Sequence, residues 1–189
     1  MKTIVLTGGT SKRFGSDKSE ALLNGRTLLE YMTDGLNNLI VVGPIKNIDA
    51  VYVRETPAGA GPVAAIDAGL KVVDTELVSI FATDMPFAPR ILPQLLKSLI
   101  NDAALPIDSD GYLQPLAGVY RTKQLRTALV SLGDLENRSV KELISKLELM
   151  KTNSDTETSN RIEESISKIS SEKYDKLTYF KLKNLKENL

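Results

Sequence analysis

Residues 1–18 read M-K-T-I-V-L-T-G-G-T-S-K-R-F-G-S-D-K. Thr3 to Leu6 are β-branched or apolar, the composition of a short strand covered on both faces, and they run directly into Gly8-Gly9. Paired glycines let the backbone take positive φ and let a ligand approach with no Cβ in the way, so the N–H groups of the turn can converge on an anion. Lys12, Arg13 and Lys18 stand around this turn with the small donors Thr7, Thr10 and Ser11. A strand that ends in such a turn predicts a loop that wraps a polyphosphate. The spacing excludes two common phosphate loops. Neither Gly8 nor Gly9 is followed five places on by another glycine, as a Walker loop requires, and adjacent glycines break the G-x-G-x-x-G dinucleotide pattern.

Working outward, the same grammar recurs. Asn24-Gly25 marks a tight turn. Thr27 stands three residues before Glu30 in a capping box that opens a helix carrying Leu28, Leu29, Met32 and Leu36. Leu39–Val42 and Val51–Val53 are short apolar strands. Ala58 to Leu70 is a glycine-rich loop leading into an alanine-rich helix with Pro62 in its first turn. The start of that helix suits a phosphate, and its small residues equally suit close packing on a sheet. In Leu77 to Pro86 an apolar run long enough for a central strand ends in an isolated Asp84, at the kind of carboxyl end where ligands gather in open α/β sheets. A helix over 89–100, a strand over 104–107, a solvated turn at Asp108 to Gly111, a strand over 114–121 and helices over 122–132 and 139–149 follow. The alternation predicts a three-layer α/β/α Rossmann-like fold, with a mostly parallel central sheet and helices on both faces.

The division expected is a domain over 1–150, a polar linker or degenerate closing motif over 151–160, and an amphipathic helical tail over 161–189. That tail would dock on the domain, on a second copy in a homo-oligomer, or only loosely. The chain has 189 residues with 24 Lys+Arg against 24 Asp+Glu, so no net field attracts nucleic acid. It contains no cysteine and no histidine, which removes disulfides, thiol nucleophiles and imidazole chemistry. Catalysis would rest on carboxylates, cations, hydroxyls, backbone and a hard metal. A single carboxylate such as Asp84, completed by water and substrate phosphates, is how Mg²⁺ is usually held. No leader segment and no membrane-length apolar run is read, so the expected compartment is the cytoplasm.

Three motifs carry a resemblance. The stretch G-G-x-S-x-R-F-G-x-D-K after a strand resembles the signature of the nucleotidyltransferase family that includes the molybdenum cofactor guanylyltransferases, the MobA-like NTP transferases. The second motif is Glu55 followed by G-P-V-A-A-I at 61–66. The third is A-T-D-M-P-F at 82–87, resembling the family's metal-binding motif. The resemblance implies that Leu6, Thr7, Gly8, Gly9, Ser11, Arg13, Gly15, Lys18, Glu55 and Asp84 bind the nucleotide. Arg13 and Lys18 would offset charge on the pyrophosphate leaving group, and Asp84 would hold Mg²⁺. Gly61, Gln114, Pro115, Tyr120 and Arg121 would line the acceptor side. Asn153 or Asp155 would supply a second metal ligand from a closing motif that here lacks its Pro-Glu-Asp portion. The implied reaction takes GTP or another NTP and moves its nucleoside monophosphate to a phosphorylated small molecule, molybdopterin in the leading reading. Gly43-Pro44 replaces the Asn that commonly meets guanine, which keeps cytidylyl and sugar-phosphate transfer open. Nucleotide binding without turnover is the remaining alternative.

Overall fold

The computed structural model describes residues 1–7, 18–108 and 111–153, with backbone alone at 18 and 150–153. In chain order the elements are β1 (Lys2–Leu6), a 3-10 turn (Lys18–Glu20), β2 (Leu22–Leu23), β3 (Arg26–Thr27), α1 (Leu28–Thr33), β4 (Leu39–Val42), β5 (Val51–Val53) and α2 (Pro62–Leu70). They continue with β6 (Leu77–Ala82), a 3-10 turn (Ala88–Ile91), α3 (Leu92–Ser98), β7 (Ala103–Ile107), β8 (Ala117–Arg121), α4 (Thr122–Leu132), α5 (Val140–Ile144) and β9 (Leu149–Asn153).

Seven strands form one sheet in the order β5-β4-β1-β6-β8-β7-β9, and β8 is its antiparallel member. Strand side chains alternate between two helical layers. Ile4, Leu6, Ile40, Val42, Ile80, Leu105 and Tyr120 pack with α2, α4 and α5. On the other face Val5, Val41 and Phe81 meet α1, while Ala104 and Val119 meet the second 3-10 turn and α3. The expected α/β/α layering is therefore present.

Local chemistry explains the elements. Asn24 and Gly25 adopt φ of 49° and 78°, the positive values a two-residue hairpin between β2 and β3 requires. At the start of α1 the Thr27 hydroxyl accepts from the Glu30 N–H at 3.1 Å. Glu30 Oε2 in turn accepts from the Thr27 N–H at 2.6 Å, a complete capping box. Helix α2 lies close to the sheet because Gly69 faces it. A Cβ there would stand 2.9 Å from Ile4 Cγ2 and 3.1 Å from Val42 Cγ2, both in the core.

Three boundaries differ from expectation. The helix expected over 89–100 is a 3-10 turn followed by α3. The strand expected from Gln114 begins at Ala117, because the Gln114 N–H turns back to the Pro106 carbonyl at 2.9 Å. The helix expected to reach Leu149 ends at Ile144, and Leu149 to Asn153 form β9, so the sheet crosses the division drawn at 150. β9 pairs in parallel with β7 at the sheet's edge. It is anchored by the Asp102 N–H to the Glu148 carbonyl and the Glu148 N–H to Asp102 Oδ2, both 2.9 Å. An edge strand is held by ladder hydrogen bonds, so the polar Lys151-Thr152-Asn153 carries no apolar alternation to announce it.

Two measurements test this packing. Gly69→Ala gains roughly 1 kcal/mol of helix propensity. It forces a methyl into filled space at a cost of about 1–3 kcal/mol. The expected result is a lower urea midpoint with unchanged m-value, and a raised midpoint would contradict the contact. The Thr27 N–H and then its hydroxyl hold the Glu30 carboxyl below its ordinary value of 4.5. A depressed folded-state value contributes stability above the unfolded value and loses it as pH falls through the folded one. Below pH 4.5, then, the wild type should lose stability on acidification more steeply than Glu30→Gln, as read from urea unfolding at several pH values.

Candidate active site

The carboxyl ends of all strands but β8 lie along one edge of the sheet. From β1 the chain crosses toward β4 and β5, and from β5 it returns to β6 on the other side of β1. The strand order therefore reverses between β1 and β6, which opens a crevice beyond their carboxyl ends. Residues Thr7 and Thr83-Asp84 emerge there.

Hydrogen bonds extend the ladder one residue past each strand and hold these emerging segments. The Gly43 N–H donates to the Val53 carbonyl at 3.0 Å, and the Thr7 N–H and hydroxyl both donate to the Val42 carbonyl at 3.1 Å. The Thr83 N–H donates to the Leu6 carbonyl at 3.2 Å, with its hydroxyl at 3.4 Å. The Ala82 N–H donates to the Leu116 carbonyl at 3.0 Å. Thr7 and Thr83 are both buried while Asp84 is half-buried, so the carboxylate stands at the mouth of a rigid frame. Leu6 contributes its carbonyl to this lacing and its side chain to the core.

The second motif closes the same edge. Glu55 Oε1 accepts from the Gly59 N–H at 2.9 Å and so folds the loop that precedes α2. Gly61, at φ 97°, is the N-cap of α2, which has no side-chain cap. The Asn137 N–H donates to the Ala60 carbonyl at 2.7 Å, which ties this loop to the connection between α4 and α5. Glu55 thus acts on the glycine-rich loop, and α2 opens at the carboxyl edge of the sheet.

The acceptor candidates divide. Gln114 and Pro115 precede β8 and lie on the carboxyl edge, where Gln114 Nε2 donates to Asp108 Oδ2 at 2.7 Å. Tyr120 does not join them. It is 1% exposed in the core, its hydroxyl donates to the Pro115 carbonyl, and burial pushes its ionisation far above the ordinary tyrosine range. Arg121 lies at the opposite edge, because β8 runs antiparallel to β6 and pairs Arg121 with Leu77. There Arg121 Nη1 meets Glu76 Oε1 at 3.0 Å and its Nε donates to the Asn101 carbonyl at 3.1 Å. Tyr120 therefore supports the site from beneath, and Arg121 is removed from it.

Gly8, Gly9, Ser11, Arg13, Gly15 and Asp155 lie outside the described residues, as do the side chains of Lys18 and Asn153. So do the residues expected to form the 161–189 tail. The backbone places Lys18 in the 3-10 turn that follows the β1 loop and Asn153 at the carboxyl end of β9. Sequence reasoning did not single out Thr83, and it read Asp108 only as part of a solvated turn. Thr83 was detectable as the residue joining strand β6 to Asp84. Asp108 was legible as a turn residue, and its contact with Gln114 was not, since turn-forming Asp near a glycine is a common pattern.

Among the described residues no group of three or more acids could hold a metal on its own. The donors at the crevice are hard oxygens, the Asp84 carboxylate beside threonine hydroxyls. This set fits Mg²⁺ shared with the oxygens of a bound polyphosphate, and it does not fit a self-contained cage. No helix among the described residues is long and apolar enough to cross a membrane.

Comparison with known proteins agrees with this geometry. The model of the MobA-like NTP transferase domain matches residues 3–151. A probable molybdenum cofactor guanylyltransferase of Bacillus subtilis (strain 168) is 31% identical over 155 residues, covering 71% of this chain and 77% of that one. The molybdopterin-guanine dinucleotide biosynthesis protein A of Archaeoglobus fulgidus superposes with a TM-score of 0.68 at 22% identity, over 99% of this chain and 97% of that one. A 2-C-methyl-D-erythritol 4-phosphate cytidylyltransferase of Thermus thermophilus superposes with a TM-score of 0.55 at 17% identity, over 81% and 88% of the two chains. The two structural likenesses speak to the fold. The family model and the sequence relative, each spanning most of the chain, show that this protein belongs to the MobA-like NTP transferase family.

Proposed function

We propose that this nucleotidyltransferase moves GMP from GTP to molybdopterin and releases pyrophosphate. The observation that carries the reading is the position of Asp84, at the carboxyl end of β6 and across the crevice from β1, the strand that leads into G-G-T-S-K-R-F-G. In this reading the β1 loop wraps the triphosphate with backbone N–H groups. Arg13 and Lys18 face the pyrophosphate as it leaves, where charge grows in the transition state. A phosphate oxygen of the acceptor attacks the α-phosphorus in line, and the bond to the bridging oxygen of pyrophosphate breaks. Such a transfer depends on positioning and electrostatics and needs no protein nucleophile, which suits a chain without His or Cys. Mg²⁺, held by Asp84 together with phosphate oxygens, would neutralise charge and orient the triphosphate. The laced frame of Thr7 and Thr83 keeps the carboxylate in place and limits water at its base.

A second reading keeps this chemistry with a different base or acceptor. The specific observation that favours it is Gly43-Pro44 at the carboxyl end of β4, where guanylyltransferases of this type commonly carry Asn. A cytidylyl or sugar-phosphate transfer would use the same frame.

Calorimetric titration with GTP, CTP, ATP and UTP, with and without Mg²⁺, separates these readings. The expected result is preference for GTP with Mg²⁺. Preference for CTP would move the assignment to the second reading. Asp84→Asn should reduce turnover by about 10³-fold with little change in melting temperature. Lys18→Ala should reduce turnover by roughly 10²-fold. Full activity of either variant would remove that residue from the mechanism.

A further inference from the structure

The pair Asp108–Gln114 carries a specificity consequence that rests on the site proposed above. Asp108 follows β7 on the carboxyl edge, and its carboxylate is fixed on both sides. Oδ1 accepts from the Tyr112 N–H at 2.7 Å, and Oδ2 accepts from Gln114 Nε2 at 2.7 Å. The backbone repeats the clamp, with the Asp108 N–H donating to the Tyr112 carbonyl at 2.9 Å and the Gly111 N–H donating to the Asp108 carbonyl at 3.0 Å. Gln114 is fixed independently, since its N–H donates to the Pro106 carbonyl at 2.9 Å. Just beyond it the Leu116 carbonyl receives the Ala82 N–H, two residues from Asp84.

An amide side chain has a donating and an accepting end, and the positions of its heavy atoms alone do not distinguish them. Here the chemistry does. An ionised carboxylate only accepts, so the NH₂ end of Gln114 must face Asp108 and its carbonyl oxygen is turned the other way. That oxygen accepts from none of the described residues, while Gln114 is half-buried beside the crevice. We propose that Asp108 is a positioning residue that sets the polarity of Gln114, so that Gln114 Oε1 recognises an N–H or O–H donor on the acceptor substrate. Acceptors that offer only oxygen acceptors at that point would leave Oε1 unmatched and bind less well.

The polarity can be inverted and restored. In Asp108→Asn the Tyr112 N–H still requires an oxygen, so the Asn NH₂ takes the place of Oδ2 and meets Gln114. The Gln114 amide must then turn over and present NH₂ to the substrate. In Asp108→Asn/Gln114→Glu the Asn NH₂ donates to the Glu carboxylate, an accepting oxygen faces the crevice again, and the net charge of the pair is unchanged.

Steady-state kinetics of the full chain with Mg-GTP and molybdopterin provides the test. Asp108→Asn should raise KM for molybdopterin about tenfold with kcat and GTP affinity little changed. The double variant should return KM toward the wild-type value. An unchanged KM in Asp108→Asn, or a double variant no better than the single one, would overturn the proposal. So would a loss confined to kcat. A second measurement stands apart from turnover: the side-chain NH₂ resonances of Gln114 in ¹⁵N-labelled protein, identified by their loss in Gln114→Glu. They should shift and exchange with solvent faster in Asp108→Asn, and identical resonances would overturn the assigned orientation. Should the wild type show no turnover of GTP with molybdopterin, the proposed reaction falls, and these resonances still decide the polarity of Gln114.

Discussion

The hydrogen bonds from Thr83 to the Leu6 carbonyl join two parallel strands at the point where the chain changes direction across the sheet. The site depends on this junction. Parallel strands β4, β1 and β6 bring their carboxyl ends to one edge, and the reversal of strand order keeps crossing connections from covering the gap between β1 and β6. Thr7 and Thr83-Asp84, at the ends of β1 and β6, are thereby brought to one edge from segments far apart in the chain. The ladder continues one residue beyond each strand through Gly43, Thr7 and Thr83, so the loops leave from fixed points. Catalysis by charge placement needs that rigidity, because groups aimed at a developing charge act only where they do not have to reorganise.

Helix α2 connects the core to the same edge. Gly69, near its end, lets the helix settle against Ile4 and Val42, and Gly61, at its start, turns the chain with positive φ as it leaves the glycine-rich loop. The depth at which α2 packs therefore sets where its amino end lies along the carboxyl edge. Of the two readings open from composition, close packing along the helix is the one seen at Gly69.

Strand β8 sorts the residues that precede it from those that end it. A single motif, Q-P-L-A-G-V-Y-R, is split by an antiparallel strand into a carboxyl-edge part with Gln114 and Pro115, a buried middle with Tyr120, and an opposite edge with Arg121. Tyr120 links the first two, since its hydroxyl reaches the Pro115 carbonyl from within the core. Residues contiguous in sequence are therefore separated by the full length of a strand.

Local patterns in the sequence were sufficient for the α/β layering and for strands β4 and β5, the Asn24-Gly25 turn, the Thr27–Glu30 cap and helix α4. Each rests on neighbouring residues or on an apolar run too short to misread. Asp84 was legible for the same reason, as an isolated acid ending a central strand. Strand β9 was not legible, because its polar residues are held by pairing with β7 and leave no periodicity. The direction of β8, the removal of Arg121 from the site and the Asp108–Gln114 contact were decided only by tertiary structure. Strand direction and contacts between separate turns are set by which sheet edge and face remain to be covered, a property of the assembled core that no local window contains.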